Sequence, residues 1–255
     1  MPEMQHLFGD EGLRALAAAL EAGPLLAFDF DGTLAPLVDR PDEAQVPVSI
    51  ARRLARLADL RPLAIVTGRA VGDVAGRLGF PAGYIVGNHG AEVQGIEPSL
   101  DSSALDPVRQ RFLAAAGIMG PAGLQLEDKH YSLAVHFRQA ADQQGAALLA
   151  DALVADLPPA LRVVPGRMVR NVVLADAPDK GDAVAALVRL AGCDLAVFVG
   201  DDVNDESVFA SAPANWLTVR VGNDYPLSKA RYFLDDYAEV AQLLDRMLDG
   251  LAPRE

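Results

Sequence analysis

Cysteine is all but missing from this chain: Cys193 is the only one in 255 residues, so no intrachain disulfide can form. Basic residues are in deficit too, 22 Lys and Arg against 35 Asp and Glu. The resulting net charge of −13 opposes non-specific attachment to nucleic acid or anionic lipid, so neither is an expected partner. No apolar run approaches the roughly 18 residues of a membrane span; the longest are broken by Asp, Gly or Pro. The first ten residues lack a basic stretch followed by an apolar one, and a cytoplasmic protein is expected, as a monomer. What is present, 51% hydrophobic and 22% charged residues with Gly and Pro dispersed, is the composition of a folded globular protein. The length allows one large domain or a core with a smaller insert.

Leu13, Leu16, Ala17 and Leu20 recur at helical spacing, and Gly23-Pro24 ends that helix. Residues 24–30 are short, nearly all apolar and closed by a glycine turn, which predicts a strand covered on both faces. Residues 63–68, 84–87 and 195–200 repeat the style with helical patterns between them, the signature of a parallel sheet. Three of these four strands end on polar residues and glycine, where an open α/β sheet places its ligand site. Ahead of Pro178 the pattern changes to a helix (107–116), two strands (124–127, 131–138), a helix (142–156) and two strands (161–165, 168–174). That α-β-β-α-β-β order reads as a domain of residues 105–175 inserted into a core of residues 1–104 and 176–255. The core resumes with a helix (180–191), the 195–200 strand, a strand (217–222) and a closing helix (236–248).

Asp29 and Asp31 stand two apart at a strand end before Gly32, so both carboxylates can reach one small space. One can attack phosphorus while the other handles the proton of the leaving oxygen; the alternative is a turn that merely begins with Asp. Gly200-Asp201-Asp202-Val203-Asn204-Asp205-Glu206 puts four acids into six residues at another strand end. Such crowding calls for a cation, and hard oxygen ligands point to Mg²⁺. Asp29 and Asp201 would bind it directly, the Asp31 carbonyl would be a third ligand, and Asp205 or Asn204 would act through water. An acidic helix start favoured by the helix dipole is the plainer reading. In Thr67-Gly68-Arg69, the hydroxyl and the following N–H could hold a phosphate at a helix start. Lys180 alone would be solvated surface; with the other residues it supplies a point charge that neutralises phosphate and steadies the nucleophile.

Asp29-x-Asp31-Gly-Thr, Thr67, Lys180 and Gly-Asp201-Asp202-x-x-Asp205 resemble, in order, the four motifs of the haloacid dehalogenase superfamily. The resemblance implies a Rossmann-like α/β parallel-sheet core with Asp29 as nucleophile and Asp31 as general acid and base. Thr67 and Lys180 would be phosphate ligands and Asp201 a metal ligand. The insert falls between Arg69 and Lys180, which resembles the α/β cap of sugar phosphatases and differs from the helical cap of many phosphomutases.

Within the insert, Ser132, His136 and Arg138 alternate with apolar residues, and Glu127 and Lys129 share parity on the preceding run. A hairpin would gather these five polar residues, either as a grip for hydroxyls and an anion or as a mixed-charge exposed face. The segment 126–138 resembles the Glu-x-Lys…Ser…His-x-Arg cap segment of trehalose-6-phosphate phosphatases, and the turn Gly87-Asn88-His89-Gly90-Ala91-Glu92 also looks like that family. This resemblance implies that Glu127 and Lys129 bind glucose hydroxyls and that His89 lies near the sugar, with Arg69 among the substrate-binding residues. Asn171 stands where that family has a substrate-binding Glu, and it offers one acceptor and donors in place of a carboxylate. The expected small-molecule partner is therefore trehalose 6-phosphate, with another sugar or glycosyl phosphate, such as sucrose phosphate or mannosyl-3-phosphoglycerate, as the alternative. A phosphomutase and a catalytically silent binding module are the readings of different class.

Overall fold

A computed structural model describes residues 4–38, 40–97 and 99–252. The chain divides into two compact units, one running to Gly95 and resuming at Pro178, the other running from Ile96 to Ala177. The first unit opens with β1 (Gln5–His6), α1 (Asp10–Glu21), β2 (Leu25–Phe28), α2 (Val48–Leu60), β3 (Leu63–Val66), α3 (Val71–Ala75), β4 (Tyr84–Gly87) and β5 (Glu92–Val93). The second contains α4 (Asp106–Met119), β6 (Gln125–Asp128), β7 (Ser132–His136), α5 (Gln143–Leu153), β8 (Leu161–Gly166) and β9 (Val169–Leu174). The first then resumes with α6 (Lys180–Leu190), β10 (Ala196–Gly200), α7 (Glu206–Ser211), β11 (Leu217–Val221), β12 (Tyr232–Leu234) and α8 (Ala238–Leu251).

The strands of the first unit form one sheet in the order β1-β12-β11-β10-β2-β3-β4-β5, parallel except where β5 pairs with β4. Its central strands are apolar because both faces are covered: every residue of β2, β3, β10 and β11 is buried. The covering helices carry apolar stripes. In α8, Val240, Leu243, Leu244, Met247 and Leu248 are buried, a spacing of three and four that puts them on one face. β2 lies between β3 and β10, where the chain order reverses across the sheet. The carboxyl ends of these neighbours therefore border the crevice in which an open α/β sheet binds ligands.

The second unit is an antiparallel sheet in the order β6-β7-β9-β8 with two helices. Its register pairs Glu127 with Ala134, Ala134 with Asn171, and Asn171 with Val164. Directly paired residues share a face, so Glu127, Ser132, Ala134, His136 and Asn171 lie together. The opposite face carries buried Leu133, Val135, Val172 and Leu174. It is tied to the helices by Arg170 with Asp151 at 2.6 Å and Arg109 with Asp128 at 2.7 Å. The unit's limits lie outside the span 105–175 expected from the pattern. The 3-10 turn Ser102–Leu105 buries Leu105 and packs against β7 and β9. At the other end, Arg162 donates to the Ala177 carbonyl at 3.4 Å. Among the described residues, no helix is long and apolar enough to cross a membrane.

Candidate active site

Asp29 follows β2, its N–H donating to the Val199 carbonyl of β10 at 2.9 Å. The chain then turns sharply, with Gly32 N–H on the Ala35 carbonyl at 2.8 Å and Leu34 N–H on the Phe30 carbonyl at 2.9 Å. Gly32 has a φ of +79°, and a Cβ there would stand 2.1 Å from Oδ2 of Asp201. Only glycine permits both the left-handed backbone and that approach. The same turn sends Thr33 Oγ1 to Asp201 Oδ1 at 3.4 Å. Asp201 itself follows β10, so the two adjacent strands deliver Asp29 and Asp201 to one place.

Lys180 is the first residue of α6, started by a capping box in which Asp179 and Asp182 each accept the other's backbone N–H. Its ammonium is buried and donates to Asp29 Oδ1 and Asp205 Oδ1, both at 2.7 Å. Asp205 uses its other oxygen to accept the Asp202 N–H at 3.0 Å, which closes the loop after β10. Burial pushes the Asp29 carboxyl up to about 8, against the pull of Lys180. Burial and the neighbouring Asp29 and Asp205 charges also hold Asp201 well above the usual range. Burial lowers the Lys180 pKa, but Asp205 and Asp29 outweigh it and raise it overall. Carboxylate oxygens of Asp29, Asp201 and Asp205 lie within 4.8 Å of one another. Three buried acids facing one ammonium leave uncompensated negative charge, and an all-oxygen set of this kind fits a small, hard divalent cation.

Asp31, two residues on, lies near enough for its charge to help raise the Asp29 pKa. Both its oxygens accept from Arg69, Nε to Oδ2 at 2.7 Å and Nη2 to Oδ1 at 2.8 Å. Arg69 also donates to the Pro41 carbonyl and to Asp73, both at 2.8 Å, so four of its five N–H groups are directed inside this unit. Burial lowers the Arg69 pKa, but its bonds to Asp31 and Asp73 raise it overall. Thr67 is buried just past β3, and its Oγ1 accepts the Arg69 N–H at 3.2 Å. His89 has a φ of +60° and donates its N–H to the Thr67 carbonyl at 3.0 Å. Its imidazole rests on Gly68, where a Cβ would meet the ring at 2.4 Å.

In the second unit, His136 Nε2 lies 2.9 Å and Lys129 Nζ 3.6 Å from Glu127 Oε2. Ser132 and Asn171 share that face, and Asn171 donates to the Val164 carbonyl at 3.2 Å. Lys129 sits in the β6–β7 turn and Arg138 two residues beyond β7, so neither belongs to the strand ladder. No sequence motif marks Asp73, which lies in α3 four residues after Arg69, or the contact of Thr33 with Asp201.

A family model for trehalose-phosphatases matches residues 27–221. A trehalose-phosphate phosphatase of Mycobacterium avium (strain 104) is 32% identical over 248 residues, 89% of this chain and 63% of that protein, so the chain spans less than two thirds of that relative. Among solved structures, the C-terminal domain of C. albicans trehalose-6-phosphate phosphatase superposes with a TM-score of 0.81 at 21% identity, covering 98% of this chain and 99% of the other. A haloacid dehalogenase-like hydrolase from B. subtilis gives 0.59 at 17% identity, covering 87% and 98%. At such identities these two structures speak for the fold alone. With the sequence match running through both compact units and the fold agreeing, the chain belongs to the trehalose-phosphatase family.

Proposed function

We propose that this chain hydrolyses trehalose 6-phosphate to trehalose and phosphate through an aspartyl-phosphate on Asp29, with Mg²⁺ as cofactor. The observation that carries the reading is the Lys180 bridge, which fixes one Asp29 oxygen at the end of β2 beside Asp201 and Asp205. The other Asp29 oxygen attacks phosphorus, the P–O ester bond breaks, and a proton from Asp31 goes to the leaving oxygen. Water then attacks the same phosphorus, Asp31 takes its proton, and phosphate leaves with Asp29 restored. Thr67 and Lys180 serve the phosphate oxygens. Asp29, Asp201 and the Asp31 carbonyl would hold Mg²⁺, with Asp205 acting through water; the ion supplies charge neutralisation for the transferring phosphoryl group.

For the sugar, support comes from family membership, the names of the mycobacterial and fungal relatives, and the Glu127, Lys129 and His136 cluster with Ser132 and Asn171 beside it. Residues 105–175 act as a cap in this reading, with Arg138 as a further substrate contact. Asn171 favours a second reading, another sugar or glycosyl phosphate, because a neutral amide accepts fewer hydroxyls than a carboxylate. The lone Cys193 suits a reducing compartment such as the cytoplasm. A phosphate-release panel of sugar phosphates, run with Mg²⁺ and with chelator, tests the proposal. Trehalose 6-phosphate should rank first and chelator should stop the reaction. Another sugar phosphate far ahead would reassign the substrate, and an isomerised sugar phosphate without free phosphate would make the protein a mutase.

A further inference from the structure

Asp73 lies outside every motif that marks the active site, yet it binds two arginines at once. Its Oδ2 accepts from Arg69 Nη1 at 2.8 Å, and its Oδ1 accepts from Arg77 Nε at 2.9 Å and Nη2 at 2.5 Å. Burial raises its pKa, but the bonds from Arg77 and Arg69 outweigh that and hold it below the ordinary carboxylate range. Arg69, so anchored, presents its Nε and Nη2 as a fork to both oxygens of Asp31 and stacks over the Phe30 ring at 5.2 Å. With Asp73 and the Pro41 carbonyl gripping the guanidinium from the other side, the plane of the fork is set before any substrate arrives.

We infer that Asp73 and Arg69 are positioning residues for the proton-handling carboxylate, a relay in which Asp73 orients Arg69 and Arg69 orients Asp31. This rests on the reading of Asp31 as general acid and base. It replaces a direct contact of Arg69 with substrate by an indirect role. Because both Asp31 oxygens accept from one planar guanidinium, Arg69 sets the plane in which that carboxyl is presented.

The test uses kcat/KM, which reports the transfer to Asp29, for two esters. Trehalose 6-phosphate releases its sugar as an alkoxide that needs the proton; p-nitrophenyl phosphate releases a stable phenolate that does not. Asp73→Asn should lower kcat/KM for the sugar ester at least about tenfold and for the aryl ester less than about threefold, within the range general acid catalysis supplies. Asp73→Glu should recover part of the loss. Arg77→Gln, which removes the other arginine but leaves Arg69 on Asp73, should not change the ratio of the two esters. Equal losses on both esters in Asp73→Asn, or the same selective loss in Arg77→Gln, would overturn the relay. Asp31→Asn is the reference: if it fails to discriminate between the esters, the acid–base reading falls and the relay with it. If it discriminates and Asp73→Asn does not, the relay alone falls.

Discussion

Lys180 sets one ammonium between two buried carboxylates, and its removal would leave both without a counter-charge. Above the Asp29 pKa of about 8, where that carboxyl is ionised, Lys180→Met should therefore destabilise the magnesium-free protein by about 3–5 kcal/mol, the cost of breaking a buried pair. Urea denaturation measures it, and a change under ~1 kcal/mol would mean that the carboxylates are neutralised some other way. Asp29→Asn separates chemistry from folding, since the amide keeps the shape and loses the nucleophile. Turnover should fall by at least ~10³-fold, in line with removal of other nucleophiles, while the melting transition stays cooperative. That Asp29, Lys180, Asp201 and Asp205 meet was legible in the sequence, because each stands at a strand or helix end within a recognisable motif. The engagement of Arg69 was not. Its partners sit at Asp31, Pro41 and Asp73, and only a folded chain shows that they meet.

At the scale of elements, α6 matters because its first residue is Lys180, so the start of the helix sets the height of the ammonium. Asp179 supplies the cap that fixes this start, accepting the Asp182 N–H at 2.9 Å. Asp179→Ala should cost about 1 kcal/mol by chemical denaturation, the usual value of an N-cap side chain. No measurable loss would show that tertiary packing alone sets the helix start. The elements that sequence patterns reveal are those with enough residues to carry a period: β2, β3, β4 and β10 as apolar runs, α1, α6 and α8 as stripes. The short strands β1 and β12 have two and three residues, too few for a period to be read, and they form because a neighbouring strand offers each a ladder. In the second unit the polar side of β7 was legible from alternation, whereas the position of Asn171 beside Ala134 depends on the β7–β9 register, which local pattern does not encode.

At the scale of the whole molecule, three of the acids behind the net charge of −13 are buried together in the first unit, and this couples stability to pH. Burial pushes the Asp29 carboxyl up to about 8, whereas an aspartate in an unfolded chain titrates near ~3.9. Between those values the folded state binds a proton that the unfolded state lacks, so stability falls as pH rises toward 8. Asp73, Asp128 and Asp245 are shifted the other way, and their contribution is lost only as pH falls below about 4. The melting temperature of chelated protein should thus decline between about pH 6 and 8. Mg²⁺ should flatten that slope by stabilising the ionised acids. Differential scanning calorimetry with and without chelator checks both, and a flat chelated profile would contradict the assignment of buried charge. The Lys180 to Asp29 bond also has a kinetic meaning, because it joins residues 151 apart in the chain. Contacts of such separation form late in folding, after the loop-closure entropy has been met. If Mg²⁺ is the cofactor as proposed, its binding to a cluster that appears late should slow unfolding and leave the refolding rate almost unchanged, so the cation would lock the finished structure and take no part in its assembly.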